Sequence, residues 1–282
     1  MPELPEVEVL VRHLAPLLKN KIVRDLRVQR AKVLKPTSVR ELREKLCGAK
    51  FIRLERRGKY LVFTLRKRGQ SVTLIGHLGM TGRFFLEPRA LALPKHTAVC
   101  LELGRQNLVY EDPRYFGRLT LDTSALDRLG PEPLMAEFTE DYFTRALKRS
   151  AQAIKVKLLD QSLVAGVGNI YASEALFRAG ISPRLAARKL KPDQIKRLRQ
   201  AIRAVLTTAI KCGSTLPLNF GNRKNRDGLF YFGRPTGVPD YYEERLRVYD
   251  RADKPCSKCT TAIQRITQAA RSTFFCPACQ RV

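Results

Sequence analysis

Apolar residues near the N-terminus recur at Val7, Leu10, Val11, Leu14, Leu17 and Leu18. This is the i, i+3, i+4, i+7 stripe of an amphipathic helix, predicted over Glu3 to Lys19. From about Phe51 the rhythm changes to short β-type runs: FIRLERR, YLVFTLR, SVTLIG, RFFLE, TAVCLEL, LVYE and RLTLD. Turn signals such as Arg57-Gly58-Lys59, Arg68-Gly69-Gln70 and Gly104-Arg105-Gln106-Asn107 separate them. Strands in succession, with no helical segment among them, predict an antiparallel sandwich or barrel rather than βαβ units.

Gly130-Pro131-Glu132-Pro133 reads as a linker, and the pattern after it is helical. Thr139 is placed as the N-cap of a helix through EDYFTRALKR. Further helices are predicted over Ile154 to Val164, Asn169 to Ala179 and Pro192 to Lys211, the last stopped by Gly213.

Charge narrows the class of partner. Lys and Arg number 53 against 26 Asp and Glu, a formal net charge of +27, yet 44% of residues are hydrophobic. The chain is too apolar for a disordered basic tail and long enough to bury a core. So much self-repelling charge is expected to meet a polyanion. Nucleic acid leads, with an anionic membrane surface as the alternative. Between Ala186 and Arg226 eleven Lys or Arg stand against one acid, Asp193, more than solubility requires.

No stretch approaches the ~20 apolar residues of a bilayer span. The start carries Glu3, Glu6 and Glu8 where a secretory leader would be basic. The expected location is therefore the cytoplasm, where the seven cysteines are not expected to form a disulfide framework. Cys47, Cys100 and Cys212 are scattered and read as small buried hydrophobes. Cys256, Cys259, Cys276 and Cys279 form two CxxC knuckles with 16 residues between them, the spacing of a tetrahedral Zn²⁺ site. With all four positions filled by protein, one structural ion per chain is expected. The alternation in IQRITQAARSTFF predicts a β-hairpin between the knuckles, carrying Arg265 and Arg271.

Two further signals are weaker alone. Removal of the initiator Met before the small Pro2 exposes a secondary amine. An α-amino group has a pKa of about 7.7–8.0, low enough to be a nucleophile near neutral pH. Glu3 and Glu6 lie within a helical turn of it and can relay protons. Gly166-Val167-Gly168-Asn169 opens a helix, where backbone N–H groups can approach a phosphate. A plain helix–helix turn is the other reading.

Taken together, MPELPEVE, HLGMTG at His77 to Gly82, DPRYFG at Asp112 to Gly117, GPEPL, IKVKLLDQ, GVGNIYASEALF and the four cysteines follow one another in a set order. The set resembles the bacterial formamidopyrimidine-DNA glycosylase family over the whole chain. The resemblance implies an α+β multidomain protein. Its expected parts are an N-terminal antiparallel β-sandwich with a leading helix (1–130), a helical helix-two-turns-helix domain (131–245) and a C-terminal β-hairpin zinc finger (246–282), with a DNA cleft between the halves. It implies a base-excision enzyme that excises oxidised purines such as 8-oxoguanine and formamidopyrimidines, then cleaves the abasic site by β,δ-elimination.

By the same resemblance Pro2 is the nucleophile, Glu3 the proton donor and relay, and Lys59 and Arg271 serve the two eliminations. Lys155, Asn169 with its neighbouring amides, His96 and Arg114 hold phosphates, while Met80, Arg114 and Phe116 fill the space of the flipped nucleotide. Core packing is the other reading of Met80 and Phe116. Glu6, His77 and Arg149 are also placed among the DNA contacts. The expected partner is double-stranded DNA with oxidised bases or abasic sites, bound by a monomer, with no membrane.

Two departures stand out: Tyr115 replaces the arginine of DPRRFG, and Asn219 to Tyr241 is longer than the matching family segment. A glycosylase preferring oxidised pyrimidines and a non-catalytic DNA-binding module remain as alternatives.

Overall fold

The N-terminal stripe folds as α1 (Leu4–Leu18), and Val7, Leu10, Val11, Leu14 and Leu18 enter the core. The computed structural model describes residues 2–212 and 246–281, which divide into two units. The first comprises Glu6–Asp127 with Pro2; the second comprises Glu3–Pro5, residues 128–212 and residues 246–281.

The first unit is an antiparallel sandwich. One sheet orders its strands β1 (Asp25–Val28), β6 (Thr97–Glu102), β7 (Gln106–Glu111) and β5 (Arg83–Pro88). The other orders β2 (Lys50–Arg57), β3 (Tyr60–Lys67), β4 (Gln70–His77) and β8 (Arg118–Thr120). Alternation along β3 points Leu61, Phe63 and Leu65 into the core, where Phe63 meets Phe51 and Phe84, and Phe84 stacks on Tyr110 at 4.5 Å.

The seven predicted strands are present, but before Phe51, besides a 3-10 turn over Ala31–Leu34, two elements were not predicted. One is the short strand β1. The other is α2 (Val39–Leu46), whose mostly charged sequence VRELREKL hides its stripe, although Ser38 caps it by accepting the Glu41 amide at 3.1 Å. Of the scattered cysteines only Cys100 is fully buried; Cys47 and Cys212 are half-buried. α3 (Ser124–Asp127) closes the unit.

In the second unit Thr139 caps α4 (Glu140–Lys148), accepting the Tyr142 amide at 3.1 Å. The next helix is shorter than expected: α5 covers Ile154–Leu158, not Ile154 to Val164. Asp160 ends it, because its carboxylate accepts the Ser162 amide and hydroxyl at 2.9 and 2.6 Å in an Asx turn that competes with helix. α6 (Asn169–Ala179) ends at Gly180 in the left-handed conformation, and α7 (Pro192–Lys211) opens on a proline at its first position. The predicted stop, Gly213, lies outside the described residues, as does Asn219 to Tyr241.

The hairpin is β9 (Gln264–Gln268) and β10 (Arg271–Phe275), joined by Ala269 and Ala270 with φ of 47° and 57°. Such a primed turn matches the strand twist. Phe274, Ile263, Val248 and the inner cysteines pack on Phe177 of α6.

Candidate active site and metal centre

Glu3, Leu4 and Pro5 belong by their contacts to the second unit, and Gly166 explains how. Its φ is +86°, and a side chain there would lie 2.6 Å from the Leu4 Cβ. The Leu4 amide donates to the Gly166 carbonyl at 3.1 Å. This seats Glu3, 1% exposed, at the start of α6. Its carboxylate accepts the amides of Gly168 (2.7 Å), Ile170 (2.8 Å) and Tyr171 (3.4 Å). The helix dipole and three N–H groups stabilise the carboxylate there. Within the Gly166–Asn169 turn, read as a phosphate cradle, the Gly168 amide is thus turned to Glu3 and the Gly166 amide donates to Gln161 Oε1 at 2.9 Å.

The side chains beside the turn form a chain of contacts. The Lys155 ammonium, on a residue 1% exposed, donates to Asn169 Oδ1 at 2.6 Å, and Asn169 Nδ2 donates to the Ser272 carbonyl of β10 at 2.9 Å. Burial, aided by the charge of Arg271 and opposed by that of Glu3, lowers the Lys155 pKa to about 8. Tyr249 also reaches the Asn169 side chain by hydrogen bond. Glu3, Lys155, Asn169, Tyr249 and Arg271 therefore converge in one unit.

A second cluster lies in the sandwich. Asp112, fully buried, accepts the Thr81 hydroxyl (2.7 Å) and the amides of Arg114 (3.2 Å) and Gly117 (2.8 Å). Its own amide donates to the His96 carbonyl at 3.1 Å. Gly79, at φ +61°, packs so closely on the Phe116–Gly117 backbone that a side chain would lie 2.6 Å from the Gly117 nitrogen. Two loops are thereby locked side by side, with Met80 at 44% exposure and Phe116 at 53%. Neither is a core residue. The Arg114 guanidinium lies 4.8 Å from the Phe116 ring centroid.

Lys59 is buried in the β2–β3 turn, and His77 stands in β4 with Tyr60 opposite it. Burial, then the charges of Lys59 and Arg118, push the His77 pKa down to about 4. The ring is neutral at pH 7. Its Nδ1 accepts the Gly79 amide at 3.1 Å, which leaves its proton on Nε2 as a donor. Glu6 and Pro2 are buried, and Arg149, the C-cap of α4, is exposed. Tyr115 at φ +52° packs against the sandwich core with the Arg30 guanidinium over its ring.

The four cysteine sulfurs of the hairpin lie within 4.8 Å of one another. Separations of 3.3, 3.4 and 3.9 Å bracket the roughly 3.8 Å expected between thiolates bound at 2.3 Å around a tetrahedral zinc. The amides of Lys258 and Cys279 donate to Cys256 and Cys276 sulfurs, the second-sphere bonds a thiolate site needs. The donor set fits zinc. No coordination position is left for a substrate.

Sequence reasoning missed two residues here. Tyr249 is one. Glu174 is the other: buried within α6, its carboxylate accepts the amides of Arg247, Val248 and Tyr249 at 2.9 Å and ties the finger's lead-in to that helix. Neither carries a local spacing signal, because each acts on residues distant in sequence.

Comparison with known proteins agrees with this geometry. Three family profiles match in order: the formamidopyrimidine-DNA glycosylase N-terminal domain over residues 1–119, its H2TH domain over 129–218, and a zinc finger found in FPG and IleRS over 253–282. That arrangement is the architecture of a DNA-repair glycosylase with a zinc finger. Formamidopyrimidine-DNA glycosylases of Chloroflexus aggregans and Thermus thermophilus are 44% and 40% identical over 289 and 287 residues, each covering 99% of this chain and 98% of the relative. The structure of Lactococcus lactis Fpg with DNA containing an abasic site superposes with a TM-score of 0.86 at 32% identity, covering 99% of this chain and all of that one. The chain belongs to the formamidopyrimidine-DNA glycosylase family. Among the described residues no helix is long and apolar enough to cross a membrane.

Proposed function

We propose that the protein is a bifunctional DNA glycosylase and abasic-site lyase acting on oxidised purines in duplex DNA. The observation that carries this reading is the seat of Glu3 on the α6 amides, which fixes a carboxylate one residue after a prospective N-terminal amine. A non-catalytic binder has no use for that arrangement. In the proposed reaction the Pro2 nitrogen bonds to the sugar C1′ as the bond from C1′ to the base breaks, and the base leaves protonated. Glu3 donates a proton to O4′ as the C1′–O4′ bond breaks, which opens the sugar and leaves C1′ as an iminium with the Pro2 nitrogen. The resulting iminium acidifies the C2′ protons, so loss of one expels the 3′ phosphate. A second elimination expels the 5′ phosphate, and water releases Pro2.

Lys59 serves the first elimination and Arg271, held on the metal-pinned hairpin, the second. Lys155, Asn169, His77, His96, Arg114 and Arg149 meet phosphates, Glu6 supports the N-terminus, and Met80 with Phe116 enters the duplex. The zinc bound by the four cysteines supplies rigidity to the hairpin and takes no part in the chemistry. We keep 1–130, 131–245 and 246–282 as the functional division. We place the enzyme in the cytoplasm, together with its substrate DNA.

Borohydride trapping on abasic duplex, followed by peptide mapping, tests the assignment. The adduct is expected on residue 2, and a chain with a blocked N-terminus should not trap. Equal trapping by the blocked chain overturns the role of Pro2.

A further inference from the structure

Exposed cations gather where α4 meets the start of α7, away from the contact chain of Lys155 and Asn169. Between Arg184 and Arg197 six Lys and Arg face one carboxylate, Asp193. Arg188, Lys189, Lys191 and Lys196 are all exposed. Among the described residues none of these four has an ion-pair partner, whereas Arg145 nearby is paired with Asp141 at 2.8 Å. A solvated helix face commonly interleaves its signs; this one does not.

Three backbone features hold the patch in place. The Lys148 ammonium donates to the carbonyls of Arg188 (3.3 Å) and Leu190 (2.8 Å), clamping α4 to the 3-10 turn Ala187–Lys189. The amides of Ala187 and Arg188 donate to the carbonyls of Gln152 and Ser150 at 2.8 and 2.9 Å. Farther along the same pair of segments, the amides of Ile154 and Lys155 donate to Leu185 and Pro183 at 2.7 and 3.4 Å. The strip bearing Arg188 therefore runs alongside the strip bearing Lys155.

We infer that Arg188, Lys189, Lys191 and Lys196 form a second, sequence-independent surface for the backbone of duplex DNA flanking the lesion. The inference rests on the glycosylase reading above and extends it. The partner's chemistry follows from the patch: regularly spaced monoanions on a rigid rod suit fixed, unpaired cations, and each contact releases counterions. The surface would lengthen the enzyme's hold on undamaged DNA without touching the reacting sugar.

The test replaces Arg188, Lys189, Lys191 and Lys196 together by alanine. A control replaces Lys32, Lys35, Arg40 and Lys45, equally exposed cations of the sandwich. Both chains are titrated with undamaged duplexes of about 12 and about 40 base pairs across a salt series, where each lost phosphate contact lowers the log–log slope by about 0.9. For the patch variant the slope on the longer duplex should fall by about 3, with affinity for the shorter one within about twofold of the parent. The control should change either slope by less than about 1. Equal losses on both lengths, or an equal loss in the control, overturn the inference and leave only a net-charge effect. So does unchanged duplex binding accompanied by lost binding to phosphatidylserine vesicles, which would give the patch to a membrane. Excision from a short lesion duplex is measured in parallel: its absence in the parent defeats the glycosylase reading, while the length dependence still judges the patch.

Discussion

Residues 6–127 hold 25 Lys and Arg against 12 Asp and Glu, and residues 3–5 with 128–212 and 246–281 hold 23 against 10. The two regions carry the same net charge, +13, yet they arrange it differently. In the sandwich, seven arginines meet carboxylates: Arg12 and Arg56 on Glu8, Arg27 and Arg89 on Glu102, Arg43 on Asp25, Arg53 on Glu55 and Arg83 on Glu111. In the second unit Arg145 pairs with Asp141 and Lys157 with Asp160, while two other acids are committed to backbone amides, Glu3 to the start of α6 and Glu174 to the finger's lead-in. Exposed pairs stabilise a fold little, but they cancel the field that a polyanion would feel. Net charge identified the class of partner; pairing shows which region keeps its charge available. The sandwich instead exposes an apolar pair, Met80 and Phe116.

The sharpest way to break this comparison is to remove the metal. Cys256→Ser should release the zinc, loosen the hairpin, break the Asn169 bond to the Ser272 carbonyl and free Arg271 from its fixed place on β10. Losing two such polar anchors costs roughly 1–3 kcal/mol each, about a hundredfold or more in DNA affinity. The sandwich has its own core and should keep its melting transition. Zinc analysis, calorimetry and a binding titration decide it: a variant that loses the metal and binds DNA as before would show that the hairpin is not part of the interface.

Next in size is the apolar pair. Inserting side chains offset the unstacking of a flipped nucleotide, a few kcal/mol. Met80→Ala and Phe116→Ala should therefore excise a paired lesion about ten- to a hundredfold more slowly, yet bind undamaged duplex almost normally with an unaltered salt slope. An abasic site has no base to unpair, so incision there should suffer less. Equal slowing on the two substrates would remove the wedge role. A changed salt slope would mean that the sandwich contributes through charge after all.

How much of this was legible beforehand depends on how local each signal is. The zinc hairpin was readable because two CxxC knuckles and the alternation between them lie within 24 residues, Cys256 to Cys279. The limits of α6 and α7 were readable because Gly180 and Pro192 mark them on the spot. The end of α5 was not, since it depends on Asp160 folding back on Ser162 rather than on any breaker residue. β1 is four residues long and α2 mostly charged, so neither shows a usable period. Roles came through the resemblance, but the seat of Glu3 did not, because it joins residue 3 to residues 168–171 across the chain. Glu174 and Tyr249 were missed for the same reason.

The smallest expected effect isolates one cation of the second unit. Lys155 is lowered to about 8 by burial, with Arg271 adding and Glu3 opposing. Its ammonium is therefore present below that pH and lost as the pH rises through it, the reverse of a carboxylate. Between pH 7 and 9 the affinity for undamaged duplex should fall by up to about tenfold, and the salt slope by about one contact. The N-terminal amine of the proposed mechanism would titrate near the same window, about pH 7.7–8.0, so the pH profile alone does not assign the effect. Lys155→Arg does: a guanidinium keeps its charge throughout, and the variant's affinity should be flat over the interval. His77, already neutral above about pH 4, adds nothing there. A flat profile in the parent would mean that Lys155 does not meet a phosphate through its charge. A decline that persists in Lys155→Arg would transfer the titration to another group, Pro2 first.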